Sequence, residues 1–141
     1  MRRIGITGGI GSGKSVVSRL LRIMGYSVYD TDSEAKRLME SSLEVVQKLS
    51  ECFGRDIYHN GRLNRGLLSS RVFGESDKIV LLNSIVHPVV RFDFYRWSES
   101  LNEEICFVES AILYESRFDE LVDEVWTVTA PEELRISRVR Q

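Results

Sequence analysis

The segment from Gly8 to Ser15 constrains this chain more than any other. It reads GGIGSGKS and matches the pattern G-x-x-x-x-G-K-[ST]. Before it lies RRIGIT, with isoleucines at alternate positions as in a short buried strand, and after it apolar residues recur at helical spacing. Glycines let successive backbone N–H groups turn inward around an anion, and a helix start adds the positive end of its dipole. The segment therefore predicts a phosphate-binding loop between a strand and a helix.

Two side chains in this loop have specific expected roles. Lys14 is placed to reach the outer phosphates of a nucleotide, and the hydroxyl of Ser15 can hold Mg²⁺. A glycine-rich turn with an exposed lysine is the alternative, and the flanking strand and helix weigh against it. The predicted nucleotide-binding residues are Gly8, Gly9, Gly11, Ser12, Gly13, Lys14, Ser15 and Val16.

The rest of the chain alternates predicted strands with predicted helices. Capping patterns start three helices at Thr31, Ser41 and Asn64, and a long helical tract from Ser76 is interrupted or kinked near His87-Pro88. A last helix follows Pro131. Further strands are predicted in YSVYD, EICFVES and DEVWTVT.

This order predicts an α/β protein with the P-loop NTPase fold, in which helices flank a parallel sheet. Residues 1–141 form a single predicted domain. A helical insertion over residues 31–100 separates the second strand from the third, and residues 101–141 return to the sheet.

Composition and charge exclude several classes of protein. Apolar residues make up 43% of the 141 residues, which is typical of one globular domain. The net charge of −2 argues against a protein that mainly coats nucleic acid or an anionic membrane. Residues 1–37 carry seven lysines and arginines against three acids, which suits an anionic ligand or, equally, solvated helix faces.

Cysteines and apolar runs indicate the compartment. Cys52 and Cys106 have no C-x-x-C spacing, so we expect no disulfide framework and no zinc site, and we expect each thiol to be buried and reduced. No apolar run approaches 18 residues and the N-terminus has no leader pattern, so we expect a cytoplasmic protein with no membrane partner.

The acids of YDTD are candidates for acceptor chemistry. The strings N-K-x-D and D-x-x-G, expected of a regulatory GTPase, do not occur. Asp30 and Asp32 follow the second predicted strand, so they should emerge beside the loop at the carboxyl edge of the sheet. An acid in the first turn of a helix also stabilises the helix by about 0.3–1 kcal/mol. Position alone therefore leaves Asp32 open between capping and catalysis.

Several segments together resemble the dephospho-coenzyme A kinase family. The resemblance covers most of residues 4–138 in the family's order, in ITGGIGSGKS, YDTD, LNRGLLSSRVF, LNSIVHP and AILYE. It implies ATP-dependent phosphorylation of the ribose 3′-hydroxyl of dephospho-CoA, the last step of CoA biosynthesis, with Mg²⁺ as cofactor and no nucleic-acid partner. The alternatives are a P-loop kinase acting on another small-molecule hydroxyl or nucleotide, and a non-catalytic nucleotide-binding module.

The resemblance also implies roles for single residues. The loop and Lys14 would bind ATP, and Asp32 would act as the general base. Arg65 would lie in the acceptor pocket, and His87 with Pro88 would shape the acceptor-binding insertion, although a histidine before proline is also typical of a packed structural residue. Arg138 corresponds to the arginine that begins the approach to the family's lid.

The chain departs from the family pattern at several positions. Val16 stands where threonine is common, Glu109 replaces an aspartate, and Ala111 replaces a proline. We expect Glu109 to orient metal-bound water, and Glu115 matches an acid whose role is open. The later lid arginines and the last strand have no counterpart, so we expect weak or no turnover if the protein ends at Gln141.

An aromatic cluster in the long helical tract has two interpretations. It could stack an adenine ring, but packing of a long helix in the core is the favoured interpretation. The cluster consists of Phe92, Phe94, Tyr95 and Trp97.

Overall fold

The computed structural model describes residues 1–9 and 11–129. The predicted alternation of strands and helices is confirmed over these residues. The strands are β1 (Arg2–Thr7), β2 (Val28–Asp30), β3 (Tyr58–His59), β4 (Arg62–Leu63), β5 (Ile105–Glu109) and β6 (Glu124–Thr127). The helices are α1 (Lys14–Ile23), α2 (Thr31–Ser41), α3 (Leu43–Phe53), α4 (Arg65–Val72) and α5 (Ser76–Ser100).

Four strands form a parallel sheet in the order β2-β5-β1-β6. Strand β1 lies inside the sheet, with Ile4 opposite Phe107 of β5 on one side and opposite Glu124 of β6 on the other. Since all four strands are parallel, their carboxyl ends meet at one edge. The segment that follows β1 therefore begins at the edge where open α/β sheets bind ligands.

Helix α1 covers one face of the sheet. Leu21 of α1 is buried with Ile4 and Ile6 of β1 and Phe107 of β5, and Val17 packs against the same cluster. Burying one such side chain contributes about 1.5–3 kcal/mol. This cluster fixes α1 against β1, so the loop between them is held at both ends.

Aromatic side chains cover the opposite face. The ring of Phe94 is fully buried and contacts those of Tyr29, Trp97 and Phe118 at centroid distances of 5.4 to 6.0 Å. The core-packing interpretation is therefore confirmed for Phe94 and Trp97. Phe92 and Tyr95 are 63% and 45% exposed, so the core-packing interpretation is wrong for these two residues.

The described chain divides into two compact units. The first comprises Met1–Asp32 and the described residues from Asp93 onward, and it contains the parallel sheet. The second is Ser33–Phe92, which contains α3, α4 and the antiparallel β3–β4 hairpin. Its buried side chains include Val45 and Leu49 of α3 and Leu68 of α4.

Two predicted helix caps are wrong by one residue. The Thr31 hydroxyl donates to the backbone carbonyl of Glu109 at 2.8 Å, and the residue before it accepts the N–H of Asp32 instead. Likewise Ser42, not Ser41, accepts the N–H of Val45. A buried partner outside the helix redirects Thr31. The cap at Asn64 is confirmed, because its side chain accepts the N–H of Leu67 at 3.0 Å.

Helix α5 runs through His87-Pro88 as one helix of 25 residues. The predicted interruption there is therefore wrong. Proline in a helix interior costs about 3 kcal/mol through a lost hydrogen bond and a steric clash. Burial of Ile85, Val86 and Val90 on either side offsets that cost, since each apolar side chain contributes about 1.5–3 kcal/mol.

The expectation for the cysteines is half confirmed. Cys106 is buried in the sheet and its thiol is free, and burial raises its pKa to about 11. Cys52 is also free but exposed, so the expectation of burial is wrong there. The buried residues of α3 are Val45, Leu49 and Phe53, and Cys52 lies off that face. No helix in residues 1–9 and 11–129 is long and apolar enough to cross a membrane.

Candidate phosphate-binding and acceptor sites

The loop after β1 is closely packed at Gly8. A Cβ atom at Gly8 would lie 2.5 Å from the Ser12 hydroxyl oxygen and 2.6 Å from the carbonyl oxygen of Val128. Because a backbone carbonyl cannot move aside cheaply, position 8 accepts only glycine without rearrangement. The N–H of Ser12 donates to the Gly9 carbonyl at 3.1 Å, which closes the loop on itself.

Helix α1 starts in a way that leaves its positive end available. Gly13 occupies the N-cap position with a φ of 98°, a left-handed conformation that favours glycine. It provides no side-chain cap, and the first turn of α1 contains no acid. The N–H groups and dipole at the start of α1 therefore receive no compensating negative charge from the cap or the first turn, which suits an anion.

The side chains of the loop differ in exposure. Lys14 is partly exposed at the first position of α1, Ser15 is exposed, and Val16 is 54% exposed. The Ser12 side chain is 4% exposed, and its hydroxyl has no hydrogen-bond partner within the part of the chain that the structure describes. An unpaired buried hydroxyl is unusual and costs free energy, so the loop holds an unsatisfied polar group beside its backbone.

Ser15 lies next to a buried carboxylate. Its hydroxyl donates to an oxygen of Glu109 at 3.4 Å, and Glu109 at the end of β5 is 7% exposed. Asp30, at the end of β2, is the register partner of Glu109. Partners in a parallel pair point to the same face, so two carboxylates from adjacent strands occupy the sheet face that α1 covers.

The Ser15 hydroxyl and the carboxylates of Asp30 and Glu109 present oxygen atoms, the ligand type that Mg²⁺ prefers. Mg²⁺ usually also keeps several water ligands. Residues 1–9 and 11–129 contain no cluster of three or more histidines, cysteines or acids that could hold a metal ion. The donor set around Ser15 therefore fits a Mg²⁺ ion that arrives with a nucleotide rather than a metal held by protein side chains alone.

The start of α2 is fastened to this sheet edge at two points. Oδ1 of Asp30 accepts the backbone N–H of Asp32 at 3.1 Å, and Thr31 bonds the carbonyl of Glu109. The Asp32 side chain is exposed, one residue inside the helix. The predicted placement of the YDTD acids at the carboxyl edge of the sheet is thus observed.

Asp30 has a structural role that the sequence analysis did not assign to it. It directly precedes α2, and its side chain acts as the cap that the sequence pattern assigned to Thr31. The signal was available, because aspartate is a preferred N-cap residue. The T-x-x-E pattern that begins at Thr31 favours a cap one residue later.

Arg65 and His87 both belong to the unit Ser33–Phe92. Arg65 is the first residue of α4, and its guanidinium lies 3.8 Å from the carboxylate of Glu40. His87 is partly buried in α5, and its pKa is lowered. Burial is the larger cause, and the positive charge of Arg91 is the smaller one. A lowered pKa favours the neutral imidazole.

Of two other predicted residues, Glu115 and Arg138, only Glu115 is described, and it makes no hydrogen bond or ion pair with the site within the described part of the chain. Glu115 is exposed in the turn segment after β5. Arg138 and the helix expected after Pro131 lie outside the described residues.

Comparison with known proteins identifies close relatives. Residues 2–141 match the dephospho-CoA kinase (CoaE) family model. The chain is 48% identical over 138 residues to a dephospho-CoA kinase of Porphyromonas gingivalis, with 98% of this chain and 68% of that protein covered. It is 43% identical to the Bacteroides fragilis dephospho-CoA kinase, with 96% and 67% covered.

A solved structure shares the fold over nearly the whole chain. TT1252 from Thermus thermophilus superimposes with a TM-score of 0.81 at 36% identity, covering 98% of this chain and 70% of that one.

Proposed function

Because the chain belongs to the dephospho-CoA kinase family, we propose that it transfers the γ-phosphoryl group of ATP to the ribose 3′-hydroxyl of dephospho-CoA. The product of this transfer is coenzyme A, and the reaction is the last step of CoA biosynthesis. The observation that carries the proposal is the strand–loop–helix arrangement of β1, Gly8–Ser15 and α1 in a member of this family. The expected cytoplasmic location stays a prediction.

The loop is the proposed site for the phosphates of ATP. Its residues would surround the phosphate oxygens, which accept hydrogen bonds from backbone N–H groups. These residues are Gly8, Gly9, Gly11, Ser12, Gly13, Lys14, Ser15 and Val16. The uncapped start of α1 supports this role, because it offers donors and a positive dipole end to an anion. Lys14 would place its ammonium group against the outer phosphates, where negative charge is greatest.

Ser15 and Glu109 are the proposed residues for the metal that accompanies ATP. Mg²⁺ bound here would neutralise phosphate charge during transfer. The Ser15 hydroxyl would be a direct ligand, and Glu109 would accept hydrogen bonds from the ion's water ligands. Their contact at 3.4 Å supports the pairing, since it places the buried carboxylate behind the hydroxyl.

Asp32 is the proposed general base. In the transfer, the acceptor oxygen forms a bond to the γ-phosphorus, the bond from phosphorus to the bridging oxygen breaks, and ADP leaves. The acceptor hydroxyl loses its proton to the Asp32 carboxylate. The exposed side chain and its fastened backbone support this role, because the carboxylate is accessible while its Cα is held at the sheet edge.

Arg65 and His87 are the proposed acceptor residues. Arg65 supplies a permanent positive charge of the kind that binds the pyrophosphate of dephospho-CoA. His87 has a lowered pKa, so it would contribute shape and a neutral hydrogen-bonding group rather than charge. Both assignments come from the family resemblance.

An acceptor panel tests the proposal. The full-length protein is purified and incubated with Mg·ATP and dephospho-CoA, adenosine monophosphate, shikimate or no acceptor, and ADP release is measured. We expect turnover with dephospho-CoA at least about 100-fold above the others, since an acceptor lacking the matching groups leaves polar residues unpaired. Turnover that favours another acceptor would replace the substrate, and ATP binding with no turnover would favour a non-catalytic module.

A further inference from the structure

Glu40 makes two contacts with the segment that carries Arg65. One oxygen of its carboxylate accepts the backbone N–H of Leu63 at 3.2 Å, and the same oxygen lies 3.8 Å from the Arg65 guanidinium. Leu63 ends strand β4, and Arg65 begins helix α4 two residues later. One side chain therefore contacts both the backbone ahead of Arg65 and its charged group.

The position of Glu40 is unfavourable for its own helix. It lies in the last turn of α2, which contains no basic residue. The negative end of the helix dipole disfavours an acid there by a few tenths to about 1 kcal/mol. A residue that breaks a local rule is often retained for what it contacts, and here those contacts are Leu63 and Arg65.

A second hydrogen bond fastens the same hairpin to α2 without involving Arg65. The hydroxyl of Tyr58 in β3 donates to the backbone carbonyl of Met39 at 2.6 Å, and Tyr58 pairs with Leu63 across the hairpin. The pKa of Tyr58 is raised to about 12, mainly by burial and to a smaller extent by the negative charge of Glu40. The hairpin thus has one attachment that contacts Arg65 and one that does not.

The ion pair between Glu40 and Arg65 contributes little to the stability of the fold. The side chains of Arg65 and Glu40 are 48% and 27% exposed. An ion pair at such exposure contributes about 0–1 kcal/mol. Its larger consequence is geometric, because a guanidinium paired with a fixed carboxylate loses fewer orientations when it binds a second anion.

We propose that Glu40 is a positioning residue for Arg65. It holds the backbone at Leu63 and restrains the guanidinium, so that Arg65 presents its positive charge to the anionic part of the acceptor. The proposal rests on the proposed function in one respect, namely that Arg65 binds the acceptor. Loss of Glu40 therefore weakens acceptor binding and leaves ATP binding and the chemical step unchanged.

The test is steady-state kinetics with dephospho-CoA and ATP, together with the Kd of dephospho-CoA from calorimetry. We expect Glu40→Ala to raise the KM and Kd for dephospho-CoA about tenfold, with kcat and the KM for ATP within about twofold of wild type. Glu40→Gln keeps an oxygen for the Leu63 N–H but loses the charge, so its KM should rise about threefold. A fall in kcat with unchanged KM would overturn the proposal.

A double-mutant cycle tests whether Glu40 acts through Arg65. In an Arg65→Ala background, Glu40→Ala should change the acceptor KM by less than about twofold, because the group it positions is gone. A further tenfold rise would show that Glu40 acts without Arg65. Wild-type kinetics in Arg65→Ala would also overturn the proposal, whereas a wild-type protein inactive with dephospho-CoA would refute the proposed function itself.

Tyr58→Phe is the matched structural control. It removes the other attachment of the hairpin and should lower the Tm as much as Glu40→Ala does, yet leave the acceptor KM unchanged. An equal rise in KM for Tyr58→Phe would mean that hairpin stability alone explains the effect, and the positioning role would be refuted.

Discussion

The phosphate loop and the segment around Arg65 both present groups suited to anions, but they are built in different ways. The loop uses backbone N–H groups held by close packing at Gly8 and by the left-handed Gly13. The Arg65 segment uses a partly exposed guanidinium that lies 3.8 Å from the carboxylate of Glu40, a residue of a different helix. Backbone donors tolerate no change in shape and do not titrate, whereas side-chain charges can be removed one at a time.

The largest expected effect tests whether Asp32, at the carboxyl edge of the sheet, takes part in catalysis. Asp32→Asn should lower kcat by about 10²- to 10⁴-fold, because the acceptor hydroxyl loses its base, while the Kd of ATP stays unchanged. Single-turnover kinetics and calorimetry measure these quantities. Glu44→Gln, which also changes a first-turn acid, is the control and should have wild-type turnover. An Asp32→Asn protein with wild-type kcat would remove Asp32 from catalysis.

The next effect tests the close packing of the loop. Gly8→Ala should destabilise the fold by about 1–3 kcal/mol and abolish the rise in Tm on adding ATP, because its Cβ meets the Val128 carbonyl at 2.6 Å. Gly66→Ala is the matched control in α4, where the nearest atom lies 3.6 Å away. It should stabilise the protein by about 0.5–1 kcal/mol, since alanine favours helix over glycine.

Denaturant titration of both glycine variants measures these free energies of unfolding. If Gly8→Ala kept a normal ATP-dependent rise in Tm, the loop would be more adaptable than its packing indicates, and the contrast with the Arg65 segment would weaken.

A smaller effect concerns the cap that holds Asp32. Asp30→Ala should cost about 1 kcal/mol through loss of the bond to the Asp32 N–H, and kcat should fall. Asp30→Asn keeps an oxygen that can accept this bond and should recover most of both losses. If asparagine restored stability but not kcat, the charge of Asp30 would be required in addition to its cap.

The smallest effect is a pH dependence in the unit Ser33–Phe92, which contains both Arg65 and His87. Burial lowers the pKa of His87 below its ordinary 6.5, so the unfolded chain binds more protons here than the folded one. Stability from this residue is present above pH 6.5 and is lost as the pH falls through the lower folded pKa. The free energy of unfolding of His87→Gln, measured in urea, should therefore fall less steeply than that of wild type as the pH is lowered. His59→Gln changes an exposed histidine and should follow wild type.

Local patterns predicted the elements that carry the phosphate loop. Strand β1, the loop after it and helix α1 were all predicted from consecutive residues and are confirmed. The cap at Asn64 was predicted in the same way. Each depends on residues within one turn of each other, so the sequence contains the whole signal.

Predictions failed where a distant residue decided the outcome. Thr31 matches a cap pattern, but the carbonyl of Glu109, remote in sequence, takes its hydroxyl. Cys52 is exposed because the buried face of α3 runs through Val45, Leu49 and Phe53. Helix α5 continues through Pro88 because burial on both sides outweighs one lost hydrogen bond.

The amino-acid sequence by itself determined the strand, loop and helix of the proposed phosphate site, because glycine conformations and helix starts depend on neighbouring residues. Only the tertiary structure decided that Glu109 lies behind Ser15, that Asp30 caps Asp32, and that Glu40 contacts Arg65. The contacts of Glu109 and Glu40 join residues far apart in the chain, so strand order and hairpin placement set them. The Asp30 cap joins neighbouring residues, but the sequence pattern also favoured Thr31 as the cap. The hydroxyl of Thr31 bonds the Glu109 carbonyl instead.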